Sequence, residues 1–233
     1  MEAIVLAGGF GTRLQPVLPD VPKSMAVVNG RPFLEYLLDY LIAQGIQRVV
    51  LSVGYKRDVI LTHFKRKYKT LTLDYAIEEE PLGTGGGIRL AFWKINPDWA
   101  FVLNGDSIFR FDLNRMKEHH FRKKADITIA LRKLESTGRY GRVTVNRNNR
   151  INGFSEKDPA AGPGFINGGV YLIRKNFLME PSLRGSFSIE KDLFEKCYNT
   201  SRFFGFPATG YFLDIGIPED YKQAQHDFGG FTD

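Results

Sequence analysis

Residues 2–14 read Glu2-Ala3-Ile4-Val5-Leu6-Ala7-Gly8-Gly9-Phe10-Gly11-Thr12-Arg13-Leu14. A short apolar run that ends in Ala-Gly-Gly predicts a buried strand opening into a glycine-rich loop. Outward from it, Phe33, Leu34, Leu37, Leu38, Leu41 and Ile42 recur at helical spacing before Gly45 stops the pattern. Strands are expected at residues 49–53, 73–77 and 100–103, with helices through Val59, Ile60 and Phe64 and over residues 85–94 between them. Such alternation predicts an α/β fold: a mainly parallel, Rossmann-like central sheet with helices on both faces and ligands beyond the carboxyl ends of its strands.

The pattern changes after an expected helix at residues 113–124. Closely spaced strands follow at 126–131, 140–145, 150–154 and 166–173, with a turn signal in Asn146-Arg147-Asn148-Asn149. This half reads as an antiparallel extension packed against the edge of the first sheet. Helices near 188–198 and 218–225 bracket a strand around 211–215, and there is no internal repeat or low-complexity linker.

With 233 residues and 43% hydrophobic composition, the chain can bury one sizeable α/β core, so a single domain over residues 1–233 is expected. Its longest apolar runs fall far short of the roughly 20 residues of a membrane span. The start Met-Glu-Ala-Ile-Val-Leu has no basic leader, and Cys197 has no partner for a disulfide or a metal site, so a cytoplasmic, reducing compartment is expected. A formal charge of +6 suits an acidic partner without choosing among nucleotides, sugar phosphates and nucleic acid. Lys65-Arg66-Lys67-Tyr68-Lys69 reads as the solvated end of a helix, and no nucleic-acid motif accompanies it. His119 and His120 diverge on a helix and read as a solvated face rather than a shared metal site.

Glycines directly after a strand let backbone N–H groups approach a phosphate chain, and Thr12, Arg13 and Lys23 add donors and charge. Two familiar phosphate loops fail. No Gly-Lys-Ser/Thr ending exists for a P-loop, and Leu14 stands where a dinucleotide fingerprint needs its third glycine. A second constellation, Glu78-Glu79-Glu80-Pro81-Leu82-Gly83-Thr84-Gly85-Gly86-Gly87, offers backbone N–H groups at a helix start, suited to packing against a base or ribose. Asp106 and Asp214 follow two separate strands, and two carboxylates with phosphate oxygens and water make a sufficient Mg²⁺ site. Glu219 and Asp220 read as caps of the last helix rather than metal ligands. In the second half, Tyr140-Gly141-Arg142, Phe154-Ser155-Glu156-Lys157 and Ile166-Asn167-Gly168-Gly169 carry a carboxylate and an amide for sugar hydroxyls and a lysine for a phosphate.

Gly8 to Leu14, then Pro16 and Pro22-Lys23, resemble the signature of the sugar-1-phosphate nucleotidyltransferases. Leu18 departs from a common Thr and Ser24 from a common Pro. The likeness runs through Glu80-Pro81-Leu82-Gly83-Thr84, which resembles guanylyltransferases, through Asp214-Ile215-Gly216-Ile217-Pro218-Glu219-Asp220-Tyr221, and through the second half. It implies Arg13 and Lys23 as catalytic cations, and Leu6, Ala7, Gly8, Gly9, Gly11, Thr12, Glu80, Pro81, Gly83 and Thr84 as nucleotide-binding residues. It further implies Tyr140, Gly141, Glu156, Lys157, Asn167 and Gly168 as sugar-phosphate contacts and Asp106 and Asp214 as ligands of Mg²⁺. Residues 1–124 would then form a nucleotide-binding half and 125–233 a sugar-binding half. The implied partners are a nucleoside triphosphate and a sugar 1-phosphate, with a homo-oligomer open and no nucleic acid or membrane. GTP and a manno-configured heptose 1-phosphate are the expected substrates. Mannose-1-phosphate guanylyl transfer and N-acetylmuramate-1-phosphate uridylyl transfer are the alternatives, the latter because of the triple glycine at residues 85–87. A non-catalytic nucleotide-sugar sensor is the competing class.

Overall fold

The computed structural model describes residues 1–9, 21–155, 158, 160–179 and 185–230. Its strands are β1 (Glu2–Leu6), β2 (Val27–Val28), β3 (Arg31–Pro32), β4 (Arg48–Val53), β5 (Lys67–Tyr68), β6 (Leu71–Ile77) and β7 (Trp99–Asn104), continuing with β8 (Ser107–Phe109), β9 (Ile127–Leu134), β10 (Arg142–Val145), β11 (Ile151–Ser155), β12 (Gly164–Arg174), β13 (Phe203–Ala208) and β14 (Phe212–Asp214). The α-helices are α1 (Phe33–Ala43), α2 (Arg57–Phe64), α3 (Gly83–Phe92), α4 (Leu113–Arg122), α5 (Lys175–Leu178), α6 (Glu195–Cys197) and α7 (Pro218–Asp227), and a π-helical segment, Ile189–Phe194, leads into α6.

The centre of the sheet is parallel, in the order β6, β4, β1, β7. Period-two alternation sorts its side chains to two cores. Ala3, Val5, Val49, Leu51, Phe101 and Leu103 face α1, α2 and α4, whereas Ile4, Val50, Ala100 and Val102 face α3 and the 189–194 segment. Helices on both faces bury both sets, as the continuous apolar strands require. The second half is more intimate with this sheet than an added edge layer: β12 hydrogen-bonds antiparallel to β7, and β9, β10 and β11 extend one ten-stranded sheet. β13 joins it parallel to β9.

Two surface readings are corrected. The basic run does not end a helix, because α2 stops at Phe64, Lys65 adopts φ 52°, and Lys67–Tyr68 pair back onto β6. His119 and His120 are buried, not solvated. His119 lies against the rings of Phe204 and Phe206 at 6.3 and 5.6 Å, and His120 Nδ1 is 2.8 Å from Thr128 Oγ1. Burial, aided by neighbouring cations, pulls both imidazoles down to about 4, so they are neutral at pH 7. Among the described residues no group of three or more metal-ligating side chains occurs, and no helix is long and apolar enough to cross a membrane.

Candidate functional site

Beyond the carboxyl ends of β1, β4 and β7 the loops pack backbone to backbone. Ala7 N–H donates to Ser52 O at 2.8 Å, and Gly105 N–H donates to Leu6 O at 2.9 Å. A Cβ on Gly8 would lie 2.9 Å from Gly54 N, and one on Gly105 would lie 2.5 Å from Leu6 O, so both positions exclude a side chain. A Cβ on Gly9 would meet nothing within 4 Å among the described residues. These loops form a cleft of about 860 Å³ lined by Leu6, Ala7, Gly8, Gly9, Lys23, Glu80, Pro81, Gly83, Thr84, Asp106 and Asp214, among others. Arg13, Gly11 and Thr12 lie outside the described residues.

A ribbon brings the two aspartates together. β8 and β14 pair antiparallel with Asp214 opposite Ser107, and Ile215 N–H donates to Asp106 O at 3.0 Å. Lys23, in the 3₁₀ turn Lys23–Met25, donates from Nζ to Asp106 Oδ2 at 2.7 Å and to Asp214 Oδ1 at 3.4 Å. Burial disfavours that ammonium, but the two carboxylates outweigh the cost and hold its pKa above the ordinary value. Burial and then the charge of Asp106 push the Asp214 carboxyl up, against the pull of Lys23. With side chains 38% and 33% exposed, Asp106 and Asp214 are reachable from the cleft. They offer hard oxygen donors only, a set that fits Mg²⁺, which takes one or two carboxylates and completes its shell with phosphate oxygens and water.

The loop before α3 is built differently from its sequence reading. Gly85 N–H, expected to face a ligand, donates to Phe187 O at 2.9 Å, while Phe187 N–H donates to Leu82 O at 3.0 Å. A Cβ on Gly85 would fall 2.1 Å from the Phe187 ring, one on Gly86 2.8 Å from Leu82 Cβ, and one on Gly87 2.6 Å from Glu78 Oε1. The triple glycine therefore serves close packing rather than a particular base. Thr84 Oγ1 donates to Glu190 Oε2 and accepts from Ile189 N–H, both at 2.9 Å. Glu80 is exposed at the cleft, whereas Glu78 is tied by Ser52 Oγ at 2.8 Å and Leu82 N–H at 3.1 Å.

A second cleft, of about 400 Å³, is lined by Tyr140, Gly141, Arg142, Asn167, Gly168, Glu190 and Lys191, among others. Asn104 and Asp214 line both clefts, so the two cavities meet there. Asn167 is only partly available: Oδ1 accepts from Gly169 N–H and Nδ2 donates to Tyr171 Oη, each at 2.9 Å, which leaves one amide hydrogen and one lone pair. A Cβ on Gly168 would lie 2.6 Å from the Phe109 ring, so this glycine permits packing beneath the cleft. Glu156 and Lys157 lie outside the described residues. Glu219 and Asp220 stand in the first turn of α7 without a side-chain cap bond, and Asp220 pairs with Arg139.

Several lining residues had no role in the sequence reading: Asn104, Ser107, Arg142, Glu190 and Lys191. Asn104 was legible beside Asp106 at a strand end. The others face the cleft through long-range strand pairing or through the packing of residues 187–190 on α3, which no local pattern announces.

Residues 2–229 match the Nucleotidyl transferase family. The chain is 45% identical over 225 residues to the D-glycero-alpha-D-manno-heptose 1-phosphate guanylyltransferase of Aneurinibacillus thermoaerophilus, covering 97% of each. It is 41% identical to the enzyme of the same name from Campylobacter jejuni, covering 95% of this chain and 97% of that protein. The crystal structure of HddC from Yersinia pseudotuberculosis complexed with GMP-PN superposes with a TM-score of 0.87 at 37% identity, covering 97% of this chain and 99% of that one. Joined clefts beyond a parallel sheet, with a lysine between two aspartates at their junction, thus occur in a chain that belongs to the nucleotidyl transferase family.

Proposed function

We propose that this enzyme transfers a guanylyl group from GTP to D-glycero-α-D-manno-heptose 1-phosphate in the cytoplasm, yielding GDP-heptose and pyrophosphate. The observation that carries the two-substrate reading is the meeting of the two clefts at Asn104 and Asp214. A nucleotide in the larger cleft and a sugar phosphate in the smaller would bring the attacking oxygen and the α-phosphorus to that junction. Support for the substrates comes from the names of the two bacterial relatives and from the GMP-PN bound by HddC.

A phosphate oxygen of the sugar attacks the α-phosphorus, the bond to the β-phosphate breaks, and pyrophosphate leaves with that electron pair. The attacking oxygen is already ionised at neutral pH, so no base is required. Lys23 holds positive charge beside the junction, and Arg13 and Lys157 are assigned to the transferring phosphate and to the sugar phosphate. Leu6, Ala7, Gly8, Gly9, Gly11 and Thr12 are assigned to the nucleotide and its phosphates, Glu80, Pro81, Gly83 and Thr84 to the base side, and Tyr140, Gly141, Glu156, Asn167 and Gly168 to the sugar. Asp106 and Asp214 would hold Mg²⁺, which when bound neutralises phosphate charge. Catalysis then rests on positioning and charge neutralisation.

The triple glycine no longer favours uracil, because Phe187, Leu82 and Glu78 account for it. Acceptors placed for guanine N1–H and N2–H would be left unpaired by adenine, costing about 1–3 kcal/mol per group. The test is pyrophosphate release from GTP, UTP, ATP and CTP, each with heptose 1-phosphate, mannose 1-phosphate and N-acetylmuramate 1-phosphate. GTP with the heptose should give the highest kcat/KM, and a preference for UTP would overturn the assignment.

A further inference from the structure

Thr84 lines the larger cleft and Glu190 the smaller, and one hydrogen bond of 2.9 Å joins them. The same carboxylate oxygen accepts from Ser188 Oγ at 2.9 Å, so its two lone pairs are both used within the protein. Tyr171 and Asn167 line the smaller cleft together with Glu190. Its charge helps burial hold the Tyr171 hydroxyl well above the ordinary range, and that hydroxyl accepts from Asn167. Backbone bonds between Leu82 and Phe187 and between Gly85 and Phe187 make the α3 loop and the 187–190 segment one packed unit. Glu190 itself lines the smaller cleft, so a displacement of Thr84 reaches that cleft through a single side chain.

Resting on the two-substrate reading above, we propose that Glu190 is a positioning residue that couples the clefts, so that nucleotide and sugar 1-phosphate each tighten the binding of the other. Glu190 acts through Thr84 and through its own place in the wall of the smaller cleft, not on the reacting atoms. Coupling of this kind is reciprocal: whatever factor the sugar phosphate gives the nucleotide, the nucleotide returns. It requires an element whose placement both ligands bias, and the carboxylate of Glu190, shared by Thr84 and Ser188 and lining the smaller cleft, is that element.

The experiment is calorimetric titration with a GTP analogue whose α–β bridge is carbon, so that transfer cannot occur, with and without saturating heptose 1-phosphate. Wild type should bind the analogue about fivefold or more tightly when the sugar is present. Thr84→Val and Glu190→Ala should each bring that ratio to within about twofold of unity, the double variant should be no worse than either single one, and Thr84→Ser should restore it. A melting temperature near that of wild type for Thr84→Val separates lost coupling from lost fold. A ratio of unity in wild type, a ratio that survives in both variants, or effects that add in full would each overturn the proposal. If wild type binds neither ligand, the substrate assignment fails on its own. The same ratio is then read with the α,β-carbon analogue of the nucleotide, and the sugar phosphate, that do turn over.

Discussion

The ammonium of Lys23 donates to Asp106 across 2.7 Å, tying the turn that follows the first glycine loop to the end of β7. Asp214 completes the triad from the other end of the chain, and each member limits what the others can do. Asp106→Asn and Asp214→Asn keep the shape but remove a negative donor, so each is predicted to lower turnover by about a hundredfold or more. Pyrophosphate release checks this, with a melting curve to show that the fold survives. Near-normal Mg²⁺-dependent turnover in either variant would remove that residue from the metal assignment.

Lys23→Met leaves two carboxylates facing each other without their shared cation. The Asp214 carboxyl, already raised by burial and by Asp106, should rise further, because the opposing pull of Lys23 is gone. A protonated Asp214 cannot serve the site, so the acid limb of the pH profile of kcat/KM is predicted to move to higher pH. An unmoved limb, even at reduced turnover, would show that Lys23 does not hold Asp214 in its charged form.

Gly85→Ala places a methyl group where the ring of Phe187 already stands, 2.1 Å away. Overpacking of this kind costs about 1–3 kcal/mol, and relief requires the α3 loop to shift. The variant should melt lower and show a raised KM for the nucleotide. Phe187→Leu added to Gly85→Ala should recover part of both, and an equal loss in the double variant would mean that the contact is not what excludes a side chain at residue 85.

His119 and His120 accept protons near pH 4 in the folded chain but near 6.5 when exposed by unfolding. The unfolded state therefore takes up more protons between those values, and stability present above pH 6.5 is lost as pH falls toward 4. Urea unfolding at pH 7.5 and pH 4.5 should show a loss of roughly 2 kcal/mol per histidine beyond that of a His119→Phe, His120→Gln variant. Parallel losses in wild type and variant would exclude the histidines as the cause.

The first strand and the α/β alternation were legible because each is encoded within a few adjacent residues. β1, α1, β4 and β6 lie where apolar spacing put them, and the turn at Asn146–Asn149 joins β10 to β11. Phe203–Ala208 was not read as a strand, since Gly205 and Pro207 interrupt it and its reason to extend is the distant β9. The histidines were misread for a related reason. α4 is polar by composition, and the rings of Phe204 and Phe206 that cover His119 arrive on β13, far along the chain. Of the candidate site, Gly8, Gly9, Lys23 and both aspartates, which line the larger cleft, could be named from sequence. The partner of each triple-loop glycine and the link from Thr84 to Glu190 could not, because both depend on which distant segment packs against α3.

The ribbon of β8 and β14 has a consequence for when activity can arise. One carboxylate of the junction is spoken for once β7 and its turn exist, but the other is delivered by Asp214, on a strand that among the described residues pairs with β8 alone. During synthesis the parallel core of β1, β4, β6 and β7 can be on hand long before residues 212–214 leave the ribosome. Return of turnover after dilution from denaturant should accordingly lag the return of helical signal, with ribbon closure as the step that switches the enzyme on.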